Sequence, residues 1–101
     1  MARRTPLTAA EIEELLAGLP GWTLAGGRLH RHLRFRDFYE AWGFMCAAAL
    51  HAQQLDHHPE WRNVYGEVVV DLVTHDAGGV TAMDAELARR MESLARRWPA
   101  A

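Results

Sequence analysis

The feature that most constrains this chain is a long helix pattern that is apolar on nearly every side. It begins at Asp37-Phe38-Tyr39-Glu40 and is predicted to run to about Asp56. Phe38, Trp42, Met45, Ala49, Gln53 and His57 recur every three or four residues, so this stripe, read as the inward face, starts aromatic and ends polar. Tyr39, Phe44, Cys46, Leu50 and Leu55 leave the remaining sides apolar too. A helix hydrophobic nearly all round is usually buried by a partner, so self-association through it is expected. The Trp42, Met45 and Cys46 cluster then belongs to a core or an interface rather than a cofactor box. If the stripe lies on a sheet, its polar end carries Gln53 and His57 to the rim, where a polar ligand can sit.

The flanks carry explicit start and stop signals. Thr8-Ala9-Ala10-Glu11 is a capping box, in which hydroxyl and carboxylate satisfy each other's backbone donors, so a first helix is predicted from there to about Ala17. Ile12, Leu15, Leu16 and Leu19 form its apolar stripe, and Gly18 with Pro20-Gly21 ends it. Trp22-Thr23-Leu24 reads as a short strand, and Gly26-Gly27 fits a tight hairpin turn. From Leu29 the chain alternates, with Leu29, Arg31, Leu33 and Phe35 on one face and His30, His32, Arg34 and Arg36 on the other.

Pro59 is expected to close the long helix. Beyond it Val64, Val68, Val70 and Leu72 share one parity, with Glu67, Val69, Asp71, Val73 and His75 on the other; Gly66 marks a bulge or a turn. One long strand and a short hairpin both fit. His75 to Gly79 reads as a loop, and Thr81-Ala82-Met83-Asp84 as the capped start of a last helix. Leu87, Met91, Leu94 and Trp98 form that helix's inner stripe, Arg89, Arg90, Arg96 and Arg97 its solvated face, and Pro99 its end.

A chain of 101 residues fits a single domain, residues 1–101, in which folding buries only about two-thirds of the unfolded surface. Oligomerisation would add to that burial. The formal charge of -2 provides no broad basic footprint, so direct nucleic-acid binding is not expected. Cys46 is the only cysteine, which excludes an internal disulfide and fits a reducing compartment. No apolar run approaches the roughly 20 residues of a membrane span, and Met1-Ala2-Arg3-Arg4-Thr5-Pro6 precedes no apolar core, so neither a membrane anchor nor a signal peptide is expected. The expected location is cytoplasmic.

Imidazole is the one side chain whose unperturbed proton affinity lies near neutral pH, so adjacent His57 and His58 at a helix end, with His75 leaving a strand, point to proton handling. The same residues also fit a plainer account: His57 and His58 complement the helix C-terminus, and His75 is a strand-end surface residue. His30 and His32, two apart on a polar strand face, superficially resemble a metal pair. They lack a cysteine pair, a His-Glu-x-x-His element or a calcium-loop series, so no metal site is expected.

The residues around the histidines shift the weight between these accounts. Asp56-His57-His58-Pro59-Glu60-Trp61, Asn63-Val64-Tyr65, Thr74-His75 and Gly79-Val80-Thr81 through Asp84 form an ordered series. Leu7-Thr8-Ala9-Ala10-Glu11, Gly21-Trp22, Phe35-Arg36-Asp37-Phe38 and Gly43-Phe44-Met45 extend it along nearly the whole chain. In this series the chain resembles the pterin-4a-carbinolamine dehydratase family. The resemblance favours two strands after Pro59, hence an α+β fold of order α-β-β-α-β-β-α, with a four-stranded antiparallel sheet and three helices on one face.

The resemblance further implies a reaction: loss of water from a 4a-hydroxytetrahydropterin to give quinonoid dihydropterin, in tetrahydrobiopterin recycling. It implies no metal and no organic cofactor, and a homodimer or homotetramer. Carried over by position, His57, His58 and His75 are the catalytic or substrate-orienting trio, and Asp56, Val73, Thr74 and Asp76 match positions lining the pterin pocket. Backbone groups around Val73 and Thr74 would hold the pterin edge-on, and Asp84 is read as a cap. Gln53 stands where the family usually has an acid; an amide still orients a histidine or substrate but cannot stabilise an imidazolium by charge. Gly66 replaces a frequent asparagine, both tolerating left-handed backbone, and Ala77 stands where some relatives have cysteine. The alternative is a non-enzymatic pterin-binding or dimerisation protein on the same fold, as some animal relatives act for a homeodomain transcription factor.

Overall fold

The computed structural model describes residues 5–98. Helix α1, Ala9–Ala17, starts where the Thr8 hydroxyl accepts the Glu11 N–H at 3.1 Å and the Glu11 carboxylate accepts the Thr8 N–H at 2.8 Å. Gly18 caps its far end. Strands β1, Trp22–Ala25, and β2, Arg28–Arg34, form a hairpin closed by Gly26 and Gly27 at φ 59° and 76°. Positive φ at both turn residues matches the strands' twist, and glycine adopts it without a Cβ clash. Helix α2, Phe38–Leu55, then crosses to strands β3, Glu60–Val64, and β4, Glu67–Leu72. A 3₁₀ turn, His75–Ala77, leads to helix α3, Ala82–Ala95.

All strand pairs are antiparallel, in the order β1-β2-β4-β3. Leu29 and Leu33 of β2 and Val68, Val70 and Leu72 of β4 are buried under the helices, with Phe44 of α2 and Leu87 and Met91 of α3. Burying one such side chain fully contributes about 1.5–3 kcal/mol, which fixes the register because a one-residue slip would turn every one of them to water. Arg31 shares this inner face and is neutralised there. Its guanidinium donates to buried Glu92 at 3.1 and 3.4 Å, and the Trp22 indole donates to the same carboxylate at 2.8 Å. On the open face His30 pairs with Asp71 at 2.9 Å and His32 with Glu67 at 2.6 Å, so each imidazole has its own carboxylate there.

The orientation of α2 differs from the predicted one. Its buried side chains are Glu40, Ala41, Phe44, Ala48 and Ala52, whereas Ala49 and Gln53 are exposed and Phe38 and Trp42 are half exposed. The alanine seam lets α2 approach α3, whose Leu87, Met91 and Leu94 supply the bulk that α2 omits. The aromatic stripe is thereby turned outward. Cys46 also lies on the surface, and only Met45 of that cluster packs against the core.

Smaller differences have equally local causes. The helix stops at Leu55 because Asp56 takes a left-handed conformation, φ 50° and ψ 44°, before Pro59 is reached. Val64 faces water opposite Glu67, since the two-residue loop Tyr65-Gly66 breaks the parity of one continuous strand. In that loop Tyr65, not Gly66, has the positive φ, 57°. Gly66 meets a different demand: a Cβ there would lie 2.7 Å from the Phe35 carbonyl oxygen. Pro99 lies outside the described residues.

Candidate active site

The site forms where the end of α2, the 3₁₀ turn and the start of α3 meet at one rim of the sheet. At the end of α2 the Asp56 N–H donates to the Gln53 carbonyl at 3.1 Å and the His57 N–H to the Ala52 carbonyl at 3.0 Å, so orphan carbonyls are satisfied by the reversal at Asp56. The two following imidazoles diverge. His57 is buried and His58 is exposed.

His57 meets a carboxylate that has no contact with solvent. Its Nε2 lies 2.5 Å from Asp84 Oδ1, and because an ionised carboxylate only accepts, the imidazole donates. Asp84 Oδ2 accepts the Thr74 hydroxyl and the Thr81 N–H, each at 2.8 Å, and the two threonine hydroxyls lie 2.7 Å apart. A buried carboxylate is costly unless its lone pairs are filled, and three donors from three chain segments fill these. Asp84 is therefore both the helix cap read from the capping box and the partner of an imidazole 27 residues away.

His75 and Asp76 stand at the tip of the 3₁₀ turn. Thr74 anchors that turn: its carbonyl accepts Ala77 and Gly78 N–H groups at 3.1 Å, and its N–H donates to the Gly79 carbonyl at 3.0 Å. Its hydroxyl and backbone are thus turned to the protein. His75 Nε2 lies 3.2 Å from Glu60 Oε2 on β3, and Arg28 of β2 grips the same carboxylate. His58 Nε2 donates to Gln53 Oε1 at 3.1 Å. All three imidazoles therefore commit Nε2 to an oxygen acceptor, which leaves Nδ1 as the basic nitrogen of each neutral ring.

Asp56, His57, His58, Val73, Thr74, His75 and Asp76 line one open cavity of about 370 Å³, within the roughly 300–1,000 Å³ usual for small-molecule sites. Every residue predicted for the site lines it except Gln53, which reaches it through His58. A larger groove of about 450 Å³ between α1 and α3 has Leu7, Leu15 and Leu19 among its lining and no imidazole. The smaller cavity is the one that His57, His58 and His75 line together. Sequence reasoning missed the buried partnership of Asp84 and the contacts of Glu60 and Arg28, because no spacing rule links residues so far apart in the chain. Among the described residues, no helix is long and apolar enough to cross a membrane.

The chain is similar to known proteins over most of its length. Residues 5–94 match the family model described as Pterin 4 alpha carbinolamine dehydratase. A protein of Bradyrhizobium diazoefficiens, provisionally named a pterin-4-alpha-carbinolamine dehydratase, is 54% identical over 101 aligned residues, covering 98% of this chain and 99% of its own. One of Novosphingobium aromaticivorans with the same provisional name is 57% identical, covering 87% of this chain and 94% of its own. The crystal structure of a transcriptional coactivator/pterin dehydratase from Brucella melitensis superposes with a TM-score of 0.87 at 47% identity, covering 90% of this chain and 99% of that one.

Proposed function

Because the chain belongs to the pterin 4 alpha carbinolamine dehydratase family, a family of hydro-lyases, we propose that it removes water from a 4a-hydroxytetrahydropterin by histidine acid/base catalysis. The observation that carries this reading is the convergence of His57, His58 and His75 on one cavity, each with Nε2 held by an oxygen acceptor. In the reaction the C4a–O bond breaks, the leaving hydroxide takes a proton and departs as water, and the adjacent ring nitrogen releases its proton as the C=N bond of quinonoid dihydropterin forms. An acid and a base on the two sides of that bond each contribute about a hundredfold or more.

The environments of the histidines support a division of roles among them. His57, backed by buried Asp84, is the base: the proton it gains at Nδ1 makes an imidazolium whose charge is met by a carboxylate already in place. His75, whose side chain is 68% exposed, is the acid, because solvent can restore its proton after each turnover. His58, held by an amide that offers no charge, orients the substrate. Asp56, Val73 and Asp76 contact the pterin, Gln53 acts through His58, and Thr74 acts through Asp84. The step as written needs proton transfers alone. It serves tetrahydrobiopterin recycling, in the cytoplasm.

The test follows the decay of freshly generated 4a-hydroxytetrahydropterin. Wild type should accelerate it, and His57→Ala and His75→Ala should each lower kcat by about a hundredfold or more. Wild-type kcat in both variants would sink the scheme.

A specific observation also supports an assembly role. The outward face of α2 exposes three large, mostly apolar side chains, Tyr39 by 84%, Trp42 by 53% and Leu50 by 69%. We propose that a second copy covers it in a homodimer or homotetramer. The Brucella neighbour, described as both a coactivator and a pterin dehydratase, keeps a pterin-binding or dimerisation role beside catalysis as the second reading.

A further inference from the structure

We propose that Glu60, gripped by Arg28, is a positioning residue that fixes the proton of neutral His75 on Nε2 and so reserves Nδ1 for exchange with the substrate. The inference rests on the reading of His75 as a member of the catalytic trio. Glu60 is the first residue of edge strand β3 and does not line the cavity, so it acts through another side chain. Its Oε2 lies 3.2 Å from His75 Nε2, while its Oε1 is ion-paired with Arg28 from β2. The imidazole is thus tied through one carboxylate to two strands of the sheet, although it stands on a short exposed turn.

The sheet register sharpens the case. Glu60 sits directly opposite Asp71, and like charges opposed on one face of an antiparallel pair destabilise it. Arg28 meets Glu60 and His30 meets Asp71, so a paired acid is kept at each place. Nothing about the strand itself calls for an acid at position 60: valine or threonine would suit an exposed strand better. What an acid provides there is an acceptor that never donates, and that property selects a tautomer. Glutamine, which accepts and donates with equal ease, would not.

The experiment compares wild type, Glu60→Gln, His75→Ala and the double variant as full chains, with kcat and KM for 4a-hydroxytetrahydropterin and ¹⁵N NMR of the His75 ring nitrogens. Glu60 and His75 are 45% and 68% exposed, so the effect is modest: kcat should fall about two- to fivefold at unchanged KM. The neutral His75 ring should change from Nε2–H to a mixture of tautomers, and Glu60→Gln should have no further effect in the His75→Ala background. Wild-type kcat and an unaltered His75 spectrum in Glu60→Gln, or an equal loss with and without His75, would overturn the inference while leaving the trio intact. A His75→Ala enzyme with wild-type kcat would overturn both.

Discussion

Asp84→Asn tests the buried partnership most directly, because it asks one amide to replace a carboxylate with two tasks. Oδ1 accepts from His57 and Oδ2 from the Thr74 hydroxyl and the Thr81 N–H. The amide offers an acceptor on one side only. With its oxygen toward His57, its NH₂ meets the Thr81 N–H, a backbone donor that cannot rotate away; a buried donor left unsatisfied costs about 1–3 kcal/mol. With its oxygen toward the threonines, both donors stay satisfied and the NH₂ points at His57 Nε2. That nitrogen must then accept, so the neutral ring carries its proton on Nδ1, where the base is needed vacant. The second arrangement forfeits only the extra strength of charge-assisted bonds, about 1 kcal/mol, or about 4–8 °C in Tm, and should prevail. Its catalytic cost is large: losing the correct tautomer of a histidine base costs between about 10² and 10⁴ in kcat. Thermal denaturation, steady-state kinetics and ¹⁵N NMR of His57 should thus report a folded protein, kcat lower by about a hundredfold or more, and the proton on Nδ1. A variant within about threefold of wild-type kcat, with the His57 proton still on Nε2, would refute the reasoning.

Two further outcomes follow from other parts of the structure. Asp56 holds a left-handed conformation at φ 50°, which glycine adopts more cheaply, so Asp56→Gly should raise stability in urea denaturation by about 0.5–1 kcal/mol. It should also raise KM, and an unchanged KM would remove the Asp56 carboxylate from the pterin site. Placing charges on the outward face of α2 with Trp42→Glu and Leu50→Glu should shift sedimentation from an oligomer to a smaller species. Identical sedimentation of wild type and variant would show that this face is not the interface.

The signals that were legible in the sequence are those carried by neighbouring residues. The boxes at Thr8–Glu11 and Thr81–Asp84 announce two helix starts, and Gly26-Gly27 announces a hairpin. Strand parity was legible in part: Leu29 and Leu33 share the buried face, as do Val68, Val70 and Leu72, whereas Val64, grouped with the last three, faces water. The face of α2 was not, because Phe38-Trp42-Met45-Ala49 and Ala41-Phe44-Ala48-Ala52 have the same helical spacing. Aromatic bulk argued for the first, whereas the choice rests on fit, since α3 brings the large side chains and α2 must yield space. At the site, the residues carried over from the family resemblance do share a cavity. The partners that orient them did not announce themselves: Asp84 already had a sufficient explanation as a cap, and Glu60 looked like one charge on an edge strand.

The site sits on the ends of two helices, and this placement predicts which perturbations separate catalysis from folding. Helix ends leave backbone groups that need partners, so polar side chains gather there in any case. At the start of α3 the carboxylate that answers this need also holds His57, and stability and rate must fall together when its charge and contacts are removed outright, as in Asp84→Ala. At the rim the Glu60–His75 pair is exposed on both sides, where an ion pair contributes little to folding. Rate should therefore respond at position 60 with Tm unmoved, and assembly should respond at Trp42 and Leu50 with the site intact. If Glu60→Gln lowered Tm as far as Asp84→Ala, Glu60 would be a structural tether of the sheet, and its hold on the His75 proton would be incidental.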